Sequence, residues 1–164
     1  MSSSDWFKPF GIVTALLLGD SGVAAAEQAV LAVGDSLPAL VLHDQNGAEV
    51  KVEAGTRILL LSRDMDGGGV VKEALAEGGK EKLAAAGAVY VSDVSRMPGF
   101  VRSAFAMPSL RKRPYPVLLD ESGEITKTLP WMEGQATLLT LEAGKIVAVT
   151  YLKTPADLST ALAR

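Results

Sequence analysis

The sequence predicts an α/β sandwich with a mixed central sheet, and three observations carry that prediction. Short apolar runs alternate with helix-period segments through the middle of the chain, strand pairs joined at glycine follow, and a capped helix closes it. A chain of 164 residues, 48% apolar and 21% charged, is long enough for one domain with a real core.

Residues 1–26 read as a secretory signal. Lys8 precedes the apolar run 9–18, and small residues end in Ala24-Ala25-Ala26, an A-x-A cleavage pattern before Glu27. Asp5 and Asp20 depart from that pattern. The run falls short of the roughly 20 apolar residues of a bilayer span. The expectation is cleavage after Ala26, leaving a periplasmic domain over 27–164 without a transmembrane span; its oligomeric state stays open.

After the lead Val33-Gly-Asp-Ser-Leu-Pro38, the runs 39–43 and 48–52 flank Asp44-Gln-Asn-Gly47, a hairpin signal because Asn and Gly tolerate positive φ. Arg57-Ile-Leu-Leu-Leu61 is the unbroken apolar run of a strand buried on both faces. A Gly-rich loop should follow, then a helix with Val70, Val71, Ala74 and Leu75 on one stripe, broken at Gly78-Gly79 before a second segment, Lys80 to Ala86. Residues 88–91 read as a strand and 98–107 as a short helix with proline near its start. Two hairpin-like units come next, 116–125 and 136–151, with Gly123 and Gly144 at their tips. Thr154-Pro-Ala-Asp157 is a capping box opening the last helix.

Composition excludes more than motifs include. Zero cysteines rule out a disulfide, a thiol nucleophile, a thiolate zinc site and an iron–sulfur cluster. Sixteen basic against nineteen acidic residues and 5% aromatics argue against nucleic acid. His43, the single histidine, has no partner for a zinc set or a serine triad, and no Gly-x-Ser-x-Gly elbow occurs. No cofactor motif is present: a P-loop would need Gly-Lys-Ser/Thr after the glycines, and a calcium loop begun at Asp64 would place Leu75 at its twelfth position.

The stretch Arg63-Asp64-Met-Asp66-Gly67-Gly68-Gly69 is the most unusual local feature. Its glycines let main-chain amides meet an anion at a helix start, its aspartates offer a metal, and the plainer expectation has Asp66 capping the helix. Asp93 and Asp120, near strand ends, read as turn makers before they read as an acid–base pair. The basic concentration Arg96, Arg102, Arg111, Lys112 and Arg113, interleaved with Phe100, Phe105 and Tyr115, reads either as a solvated surface or as a grip on an acidic protein segment or a small anion. Tyr115 and Pro116 complete that patch, and their peptide bond is open between trans and cis. Trp131 is expected to be buried.

The order of elements resembles the thioredoxin-like fold in its peroxiredoxin-type arrangement over residues 33–163. The matching pieces are the opening 33–47, the strand-to-helix loop after Leu61, Tyr115-Pro-Val-Leu-Leu-Asp-Glu-Ser-Gly123 and 137–146. A narrower likeness is to the exported YtfJ-type proteins, through Met97-Pro-Gly-Phe-Val-Arg-Ser103, Tyr115-Pro116, Trp131 and the last hairpin with its Thr-Pro-started helix. The resemblance implies a peroxidatic site in which proline, threonine and cysteine fall on Ser62, Asp66 and Gly69, and a supporting arginine falls near Gln135. All four are changed. The resemblance with these changes implies a non-catalytic binding or scaffold module without thiol chemistry; a small enzyme or metal-binding protein using Asp64 and Asp66 is the alternative.

Overall fold

The computed structural model describes residues 29–164, so the signal segment and its cleavage site lie outside the described residues. Among them, seven strands form one mixed sheet in the order β2-β1-β5-β4-β3-β6-β7, the predicted fold class.

Strands β1 (Leu40–Asp44) and β2 (Glu49–Val52) form the expected hairpin. Its turn is held by the Asp44 carboxylate, which accepts from the main-chain N–H groups of Asn46 and Ala48 at 2.8 and 2.9 Å. These bonds, that to Ala48 foremost, hold the Asp44 carboxyl below its ordinary range against a smaller opposing effect of burial. Strands β3 (Ile58–Ser62) and β4 (Ala88–Asp93) run parallel, as do β4 and β5 (Leu118–Asp120). Strand β6 (Ala136–Glu142) lies antiparallel to β3 and forms the final hairpin with β7 (Lys145–Leu152).

Both faces of the central strands are buried, and the alternation of side chains shows it. Leu60, Tyr90, Leu119 and Leu138 join the core under the helices, while their neighbours Leu59, Leu61, Val91, Leu118 and Leu139 join the core on the other face. Leu59, Leu60 and Leu61 are fully buried, each contributing about 1.5–3 kcal/mol. Helix α1 (Met65–Ala74) presents Val70, Val71 and Ala74 to the first core, joined by Leu83 of α2 (Gly79–Ala86) and Leu158 and Leu162 of α5 (Pro155–Leu162). The capping box of α5 forms as expected, Thr154 and Asp157 each accepting from the other's N–H.

Three expectations need correction. The glycines 67–69 are not a loop; they lie inside the first turns of α1, where tertiary packing outweighs their poor helix propensity of about 1 kcal/mol each. Residues 116–125 do not form a hairpin. Strand β5 pairs with β4 and β1, and its carboxyl end turns into a 3₁₀ turn, Thr126–Thr128. The helix expected over 98–107 extends to Arg111 as α3 (Gly99–Val101), a π-helical turn (Arg102–Ala106) and α4 (Met107–Arg111).

Candidate functional site

At the carboxyl ends of the parallel strands, Asp93 and Asp120 stand opposite each other in register. Asp120 accepts from the N–H groups of Gly123, Ile125 and Thr126 at 2.8–3.0 Å and from the Ser122 hydroxyl at 3.0 Å. Asp93 accepts from the N–H and hydroxyl of Ser95 (2.9 and 2.6 Å), the Thr126 hydroxyl (2.8 Å) and Arg63 Nε (3.1 Å). Burial pushes the Asp93 carboxyl up, but the bonds from Ser95, Thr126 and Arg63 outweigh it and hold it below its ordinary range. Thr126 thus ties the two aspartates together. Both are turn makers, as expected.

The same edge carries the start of α1. Its cap is Asp64, not Asp66: Asp64 Oδ1 accepts from Gly67 N at 2.7 Å and Oδ2 from Gly134 N at 2.7 Å. A carboxylate two residues earlier reaches both the helix and the 130s loop, whereas Asp66 already lies in the first turn and is exposed. Gly67 is pressed against that loop, since a Cβ there would lie 2.6 Å from the Gln135 carbonyl oxygen. Gly68 faces Ser62 Oγ across 3.8 Å from its Cβ direction, and Gly69 has open space. The Ser62 hydroxyl pairs with Tyr90 Oη at 2.8 Å, and burial pushes the Tyr90 phenol up. The positions Ser62, Asp66, Gly69 and Gln135 therefore gather around one helix start.

Arg63, held by Asp93, also lies over the Trp131 ring at 5.1 Å, and Arg96 approaches that ring at 5.9 Å. Trp131, expected to be buried, is only half-buried beneath them, and its Nε1 is buried without a partner among the described residues. Neither this pairing nor the Thr126 bridge is visible in the sequence, because the residues come from strand ends, a 3₁₀ turn and loops far apart in the chain. Exposed Met65 and Met132 flank them in sequence.

The basic residues divide between two ends of the sheet. Arg102 faces Glu121 at 4.0 Å, just past the carboxyl end of β5. The loop Arg111–Pro116 precedes the start of β5 and lies at the other end, so it does not join Gly67–Gly69. Its organiser is Gln45, which the sequence marks only as a turn residue. The buried Gln45 amide donates from Nε2 to the Tyr115 carbonyl at 2.8 Å and accepts at Oε1 from Val117 N at 2.8 Å, spanning Pro116, which has no N–H. Arg111 Nε donates to the Gln45 carbonyl at 3.2 Å, and Arg113 Nη1 to Tyr115 Oη at 2.9 Å. Tyr115-Pro116 is trans. The Tyr115 ring is buried against Gly79, where a Cβ would come within 2.6 Å of it.

No family model and no curated protein matches the chain. Solved structures do. It is similar in fold to peroxidoxin BcpB from Mycobacterium tuberculosis, with 21% identity and a TM-score of 0.51 over 80% of this chain and 94% of that one. A putative protein disulfide isomerase from Bacteroides thetaiotaomicron gives 19% identity and a TM-score of 0.53 over 82% and 87%. Peroxiredoxin Q from Xanthomonas campestris gives 16% and 0.51 over 83% and 95%. These likenesses show the fold: a thioredoxin-like α/β sandwich, here without a cysteine.

Proposed function

We propose that this chain is an exported thioredoxin-fold module of the YtfJ type, its mature domain spanning 27–164, that works by binding a periplasmic protein or a small anion and not by chemistry. The observation that carries this reading is the state of the α1 edge. Where the resemblance calls for a thiolate the helix has Gly69, and the carboxylates Asp64, Asp93 and Asp120 already accept several hydrogen bonds each that hold turns and a helix cap. Asp66 is left alone, with no second free carboxylate beside it on the helix start. By contrast, among the described residues Arg111 and Arg113 give hydrogen bonds only to neutral oxygens, which leaves their charge available to a partner.

Capture from periplasmic extract, with Arg111→Glu/Arg113→Glu as control, tests this reading. A stoichiometric partner that the double variant loses supports it; a partner held equally by both moves the surface elsewhere. Elemental analysis of the purified chain tests the alternative, since one equivalent of bound metal would return Asp64 and Asp66 to consideration as a metal or enzymatic site.

A further inference from the structure

The second half of α1, the end of α4 and the loop before β5 border an open cleft of about 340 Å³. Its wall carries Lys72, Lys112 and Arg113 against a single carboxylate, Glu73, with the Ser109 hydroxyl among them. Among the described residues none of the three cations has a carboxylate within ion-pair distance. Like charges gathered around one concavity raise the local potential and favour an anion there.

The cleft is also built, not merely charged. Gln45 fixes the main chain on both sides of Pro116, and Gly79 allows the Tyr115 ring to pack beneath. The Tyr115 hydroxyl then holds Arg113 Nη1, with the guanidinium 5.9 Å from the ring centroid. A guanidinium held in this way loses less freedom on meeting a ligand. Pro114 and Ala76, both exposed, give the cleft an apolar part.

From this placement we infer that the cleft binds a compact organic anion with two or more negative charges, its charged groups on Lys72, Lys112 and Arg113 and its carbon skeleton against Pro114 and Ala76. The inference rests on the binding-module reading and names a ligand class for the basic-loop end of the sheet. Carboxylate and phosphate groups share the chemistry required.

Calorimetric titration of the full chain with citrate, glycerol 3-phosphate and inorganic phosphate tests it. One of the two organic anions is expected to bind more tightly than inorganic phosphate, which lacks the skeleton, and the better of them identifies the charged group. Lys72→Glu/Lys112→Glu, at two exposed positions, should weaken that binding about tenfold or more, since each lysine's charge-assisted hydrogen bond is replaced by repulsion. Arg96→Glu, at the other end of the sheet, should leave it unchanged. Absence of binding by both organic anions, or binding indifferent to Lys72→Glu/Lys112→Glu, overturns the inference. Partner capture that survives Lys72→Glu/Lys112→Glu while both anions fail would sink the ligand class and leave the binding-module reading standing.

Discussion

Gly67 and Gln135 touch across the start of α1 so closely that a Cβ on the glycine would lie 2.6 Å from the Gln135 carbonyl oxygen. The contact is main chain against main chain, so neither side has a flexible end to swing away. Gly67→Ala gains about 1 kcal/mol of helix propensity, but overpacking of this kind costs roughly 1–3 kcal/mol. A net loss of stability is therefore expected. Gly69→Ala, two residues on with open space around its Cβ direction, keeps the propensity gain without the clash. Urea denaturation of the two variants should give opposite signs; equal shifts would mean the 130s loop yields freely.

Asp93 sets a pH dependence. Its carboxyl is held below the ordinary range in the folded chain because bonds from Ser95, Thr126 and Arg63 outweigh burial. A depressed folded value means the stabilisation is fully present above about pH 4, the ordinary carboxylate range, and is lost as pH falls below it. Asp93→Asn should lower stability at pH 7 and flatten the acid limb of the stability curve. An unchanged acid limb in thermal melts from pH 7 to 3 would show that other carboxylates set it.

The basic loop depends on Gln45. Replacing it by leucine leaves the Tyr115 carbonyl and the Val117 N–H without their side-chain partner, and an unsatisfied buried polar group costs about 1–3 kcal/mol. Gln45→Leu is expected to destabilise by about 2–5 kcal/mol. A loss under about 0.5 kcal/mol, the range of an ordinary surface change, would show that the loop finds other partners.

Features governed by neighbours in sequence were legible there. The turn 44–47 and the Thr154–Asp157 capping box appear where the residues point, and the break expected at 78–79 lies over 75–78, with Gly79 opening α2. Relations fixed by chain crossings were not. Asp64 caps α1 because Gly134, seventy residues away, also donates to it, and no local rule separates Asp64 from Asp66. The glycines 67–69 read as a loop because propensity says nothing of the Gln135 carbonyl against Gly67. Arg102 and Arg111 are close in sequence, yet the intervening helical segment carries them to opposite ends of β5. The expected aspartate turns were right for a reason invisible in sequence, their sharing of Thr126.

The final hairpin contains a local conflict. Ala143 and Gly144 have φ of 48° and 78°, so both central residues of the two-residue turn are left-handed. Glycine adopts this freely, but for alanine it costs about 1–2 kcal/mol, and asparagine is the favoured residue there. Ala143→Asn is expected to stabilise the chain by about 1 kcal/mol. A lower melting temperature for this variant would mean the turn differs from the one described.

Restoring a thiol tests whether the α1 edge keeps more of a peroxidatic site than its residues suggest. In Gly69→Cys the new side chain has room, but room does not make a nucleophile. A reactive cysteine needs its thiolate stabilised by nearby positive charge, and Asp66, in the same first turns, is negative. Of the cations on either side in sequence, Arg63 is engaged with Asp93 at 3.1 Å and lies over Trp131, and Lys72 lies in the last turn of α1 on the wall of the basic cleft. The position matched to the supporting arginine is Gln135, whose side chain donates to Met132 Sδ. Peroxide consumption by Gly69→Cys is therefore expected to be no faster than that of free cysteine at the same pH. Adding Asp66→Thr and Gln135→Arg should raise it by bringing back two of the three missing helpers. Rapid turnover by the single variant would show that Arg63 can leave Asp93 to serve the thiolate, and no gain in the triple variant would show that the helix start cannot be rebuilt from these positions.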